Sequence, residues 1–121
     1  INTEDISISH DKYTPIVSGF DIKFDSSASD NIRLIWSYVI AMYKTSLKFA
    51  GNHPGLMVFD EPGQQQMAVK SQKQLFHVLS GTKGQSIVGT SLEPDEIKEM
   101  TKNLTVNIID LGEDYIIKPI S

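Results

Sequence analysis

The stretch LMVFDEPGQQQ, residues 56–66, sets four apolar residues directly before two adjacent carboxylates. A continuous apolar run of this length is too short for a helix and is typical of a strand inside a parallel or mixed sheet. A buried carboxylate is costly unless a cation or a hydrogen-bond donor accompanies it. The stretch therefore predicts a central strand that ends at Asp60, with a positively charged partner beside Asp60 and Glu61.

The composition predicts one globular domain over residues 1–121. Hydrophobic residues make up 40% of the chain and charged residues 21%, and no apolar run approaches the roughly 20 residues of a membrane span. A net charge of −4 disfavours a domain that binds nucleic acid mainly through its own basic surface, so any DNA contact is expected largely from elsewhere in the full-length protein. The chain has no cysteine and no signal-peptide pattern, which makes a cytoplasmic location the expectation.

Upstream of this stretch, the sequence predicts short strands followed by one long helix. Alternating apolar residues between positions 6 and 24, separated by Thr-Pro and Ser-Gly, are typical of strands joined by turns. Apolar residues at helical spacing then predict a helix over about residues 30–49. Because this helix is apolar around much of its circumference, we expect it to be buried between layers.

Downstream, helices and strands alternate. Apolar spacing predicts a helix that ends near Ser80, a strand over residues 86–90, and a short helix from Pro94 to about Lys102. Two further strand patterns, at 104–111 and 115–118, predict a C-terminal hairpin. This order predicts an α/β fold with a parallel or mixed sheet flanked by helices.

Polar residues follow both predicted central strands. Asp60 ends the first strand, and Ser91 follows the second. Open α/β sheets bind ligands at the carboxyl ends of their strands. An Asp-Glu pair in this position is typical of nucleotide hydrolases, in which the Asp holds Mg²⁺ and the Glu positions or deprotonates the attacking water. Taken alone, the same pattern also fits a strand that ends in a plain polar turn.

Three motifs together resemble a known family. They are FDEP at 59–62, the small polar run SSASD at 26–30 before the long helix, and GTS at 89–91. Over roughly residues 20–118 they resemble the C-terminal lobe of an ABC-type ATPase head, of the SMC and SbcC-like double-strand-break-repair group. The resemblance implies the C-terminal half of a P-loop NTPase fold, with ATP and Mg²⁺ as cofactors.

The resemblance implies a signature segment that grips the γ-phosphate of a nucleotide bound by the opposite subunit. Where the family has Leu-Ser-Gly-Gly-Glu, this chain has Ser26-Ser27-Ala28-Ser29-Asp30. Ser27 matches the signature serine and Asp30 its acid, whereas Ala28 and Ser29 replace the two glycines. Glycine lets backbone N–H groups approach a phosphate closely, so this departure is expected to affect phosphate contact.

The resemblance also assigns the remaining site residues. Asp60 matches the magnesium ligand, and Glu61 matches the residue that activates water. Gln64, Gln65 and Gln66 stand in the family's D-loop, where they would bond across a dimer. Ser91 takes the place of the switch histidine and is the second catalytic candidate.

One expected element is missing from the sequence: no G-x-x-x-x-G-K-[S/T] phosphate loop is present. In the SMC-type arrangement that loop belongs to the N-terminal lobe of the same protein, so the chain is interpreted as a C-terminal piece that is inactive on its own. The expected partners are that lobe and a second head, with ATP driving head dimerisation in DNA-associated or defence functions. The alternative is a degenerate head that does not hydrolyse ATP and serves as a dimerisation scaffold, which Ala28, Ser29 and Ser91 favour.

Overall fold

The structure, a computed structural model, describes residues 3–17, 19–21, 29–60 and 69–112. It has a mixed α/β fold, as the alternation of patterns predicts. The elements in chain order are a 3-10 turn (Thr3–Asp5), β1 (Ile6–Ile8), β2 (Pro15–Val17), β3 (Phe20–Asp21), α1 (Ser29–Lys48), β4 (Leu56–Asp60), α2 (Val69–Ser80), β5 (Gln85–Gly89) and α3 (Pro94–Met100).

The first three strands form a small antiparallel sheet in the order β1-β2-β3. The turn between β1 and β2 is closed by the Tyr13 N–H, which donates to the Ser9 carbonyl at 2.9 Å. Tyr13 has a φ of 55°, a left-handed conformation that is uncommon outside glycine. The strands predicted between residues 6 and 24 are confirmed where the structure describes them. Ile22 and Phe24 lie outside the described ranges.

The second sheet consists of β4 and β5, which pair in parallel from Leu56 opposite Gln85 to Asp60 opposite Gly89. Parallel neighbours need a crossover connection, and α2 lies in the segment that joins them. Both strands and the predicted end of α2 at Ser80 are confirmed. The predicted central position of β4 is not, because among the described residues β5 is its only strand partner.

Helix α1 lies between the two sheets, since it contacts both β2 and β4. At its middle, the Tyr38 hydroxyl donates a hydrogen bond to the Tyr13 carbonyl in the β1–β2 turn. The helix ends in a turn in which the Gly51 N–H donates to the Ser46 carbonyl at 2.8 Å. The predicted bounds of this helix agree with the structure within one residue at each end. The expectation that it is buried between layers is wrong for one side of the helix, where Met42 and Leu47 have exposed fractions of 43% and 55%.

The hydrophobic core lies on one face of the β4–β5 pair, where α1 and α2 both pack. Its buried members are Ile40 and Tyr43 from α1, Met57 and Phe59 from β4, and Leu75 and Leu79 from α2. The opposite face is not covered by the described residues. There Leu56, Val58 and Ile87 have exposed fractions of 42%, 63% and 47%. The expectation that the apolar run in β4 is buried on both faces is therefore wrong as far as the described residues go.

The predicted hairpin near the C terminus is also corrected. Residues 104–111 form no strand, and 115–118 lie outside the described residues. Locally, the Gly112 N–H donates to the Asp110 carboxylate at 2.9 Å, a turn that competes with strand pairing. Helix α3 begins at Pro94 as predicted but ends at Met100, two residues before the predicted end. Among the described segments, no helix is long and apolar enough to cross a membrane.

Candidate functional site

The candidate site is the carboxyl edge of the β4–β5 pair. Asp60 is the last residue of β4 and stands opposite Gly89, the last residue of β5. Met57 and Phe59 are buried in the core, so the alternation of a strand places Asp60 on the other face, with Leu56 and Val58. The Asp60 carboxylate is therefore exposed at the end of the uncovered apolar face.

Gly89 leaves space beside the Asp60 carboxylate. A Cβ atom built on Gly89 would lie 3.2 Å from Asp60 Oδ1, which is closer than an ordinary carbon–oxygen contact. The motif GTS contains this glycine, but its role beside Asp60 was not predicted. Only the parallel register, which the sequence does not reveal, identifies Gly89 as the neighbour of Asp60.

The residues after β5 lie at the same edge of the sheet. The Thr90 hydroxyl oxygen accepts a hydrogen bond from the Leu92 N–H at 3.2 Å, which turns the chain from β5 toward α3. Ser91, the second catalytic candidate, is exposed in this turn. The structure thus brings Asp60, Gly89 and the 90–92 turn to one edge, and the carboxyl-end position predicted for Asp60 is confirmed.

Several predicted site residues cannot be placed against this edge. Glu61 and the glutamines Gln64, Gln65 and Gln66 lie outside the described residues, as do Ser27 and Ala28. Ser29 and Asp30 are the first two residues of α1, which places their backbone at the N-terminal end of that helix. Their side chains are outside what the structure describes.

The described part of this edge offers few ligands for a metal ion. Mg²⁺ binds through one or two carboxylates together with waters and substrate phosphates, and it does not need a cage made only of protein ligands. Asp60 supplies one exposed carboxylate, and Gly89 presents no side chain beside it. In the part of the chain that the structure describes, no three Asp, Glu, His or Cys side chains are grouped to hold a metal ion.

Comparisons with protein-family models, with curated proteins and with solved structures gave no match to this chain. The structure itself defines a small mixed α/β chain with an exposed carboxylate at the carboxyl edge of a parallel strand pair.

Proposed function

We propose that this chain is the C-terminal lobe of an SMC-like or SbcC-like ATPase head, and that it contributes one half of a composite ATP site. The observation that carries the proposal is the position of Asp60. It ends a parallel strand opposite Gly89, at the same edge as the 90–92 turn. Sites of α/β sheets form at this edge, and the DEP motif begins there.

Each residue of the edge has a role in this proposal. Asp60 would hold Mg²⁺, and the ion would neutralise the charge that develops on the phosphates. Glu61, the next residue in the sequence, orients or deprotonates the attacking water. Ser91 takes the switch position with a hydroxyl in place of an imidazole. Ser27, Ala28, Ser29 and Asp30, with the three D-loop glutamines, would meet the nucleotide of a second head.

The uncovered face of the β4–β5 pair supports an N-terminal lobe as the missing half. Parallel strands are almost always covered on both faces, yet Val58 is 63% exposed and Ile87 47% exposed here. Asp60 lies on that same face by strand alternation. A lobe that packed on Val58 and Ile87 would therefore border Asp60, where its phosphate loop would be needed.

The alternative function is a head that dimerises without hydrolysing ATP. Ala28 and Ser29 replace the two signature glycines, and Ser91 replaces a histidine. These substitutions weaken phosphate contact but leave the strand edge intact. The two functions share one architecture and differ in whether the head hydrolyses ATP.

Substitutions at positions 60 and 61 test the proposal in the protein that carries both lobes. Glu61→Gln keeps the shape of the side chain and removes the base. ATP should still bind and the dimer should accumulate, while the rate of phosphate release falls by about 10² to 10⁴. Asp60→Asn weakens the metal site, so ATP-dependent dimerisation itself should decrease. Steady-state phosphate release and size-exclusion chromatography with ATP and Mg²⁺ measure both effects.

Glu99→Gln is the matched control, because Glu99 is an exposed carboxylate on α3 and not part of the edge. It should leave turnover and dimerisation unchanged. If Glu61→Gln behaves like Glu99→Gln in both assays, Glu61 has no catalytic role. If the unaltered protein dimerises with ATP but releases no phosphate, the scaffold function takes the place of hydrolysis. If Asp60→Asn also leaves dimerisation unchanged, the composite ATP site is wrong.

A further inference from the structure

We draw no further inference here: the strongest candidate, the groove between α1 and α2 that Trp36, Lys44 and Val78 line, carries nothing, because its floor belongs largely to the buried core and nothing in the described part of the structure shows what covers it.

Discussion

Gly84, the residue before β5, lies close to Gly55 and to the Tyr43 side chain of α1, and we predict that Gly84→Ala destabilises the fold. A Cβ atom at this position would lie 2.7 Å from the Gly55 carbonyl oxygen, 2.8 Å from Tyr43 Cζ and 2.9 Å from the Tyr43 hydroxyl oxygen. All three distances are below van der Waals contact, so the backbone or the tyrosine has to move.

Neither neighbour can move without breaking another interaction. The Gly55 carbonyl accepts a hydrogen bond from the Gln85 N–H at 2.8 Å, which begins the pairing of β5 with β4. Tyr43 is only 3% exposed, belongs to the core cluster, and has its ring edge-on to His53 at 5.2 Å. The added methyl group therefore creates strain on both sides.

The expected cost follows from these two neighbours. Overpacking of a well-packed site costs about 1 to 3 kcal/mol, and a weakened hydrogen bond adds about 1 kcal/mol. The lower backbone entropy of alanine in the unfolded chain offsets about 0.4 to 1 kcal/mol. The net loss in the free energy of unfolding is about 2 kcal/mol. For a chain of this size that lowers Tm by about 8 °C, at about 4 °C per kcal/mol.

Gly81→Ala provides the matched control. Gly81 is exposed after the end of α2, and a Cβ atom there would meet the Val78 carbonyl oxygen at 3.5 Å, an ordinary contact. This variant should increase stability by about 0.4 to 1 kcal/mol. Urea unfolding followed by Trp36 fluorescence and by far-UV circular dichroism compares the two. If the Gly84→Ala and Gly81→Ala variants unfold at the same urea concentration, the predicted steric clash at position 84 is wrong.

Two further predictions concern the candidate site and the uncovered face. Gly89→Ala places a methyl group 3.2 Å from Asp60 Oδ1, so in the protein with both lobes phosphate release should fall by about tenfold with the midpoint of urea unfolding unchanged; unchanged turnover would show that the Asp60 position is not critical. The exposed apolar face around Val58 should make the isolated chain self-associate. Val58→Lys should reduce this self-association in sedimentation velocity because it puts a charge on that face, whereas Val69→Lys, at an equally exposed valine (63%), should not; equal effects would exclude this face as the contact.

Periodicity was sufficient to predict the elements that pack on the core. Helix α1 has apolar residues at helical spacing over five turns, and α2 and α3 have Gly81 and Pro94 as boundary residues. Residues 104–111 carry an equally apolar pattern but form no strand. A strand pattern describes only one partner of a pair, and pairing depends on a second segment that the pattern does not identify.

The candidate site, too, could be predicted from the sequence only in part. That Asp60 lies at the carboxyl end of a strand follows from the apolar run before it, because a charge ends such a run. That Gly89 is its neighbour depends on the register between two strands 29 residues apart, and local sequence does not encode it. The groove between α1 and α2 also escapes prediction, since each helix supplies only one of its walls.

The mismatch between sequence and burial in β4 bears on the proposed function. An uninterrupted run from Leu56 to Phe59 is typical of a strand covered on both faces, whereas a half-exposed strand has polar residues at every second position. On the face opposite the core, Val58 is 63% exposed, and its apolar neighbour on β5, Ile87, is 47% exposed. Apolar side chains that are typical of a buried strand are therefore not covered by the described part of the chain. A second layer over this face resolves the mismatch, and it would border the carboxylate of Asp60.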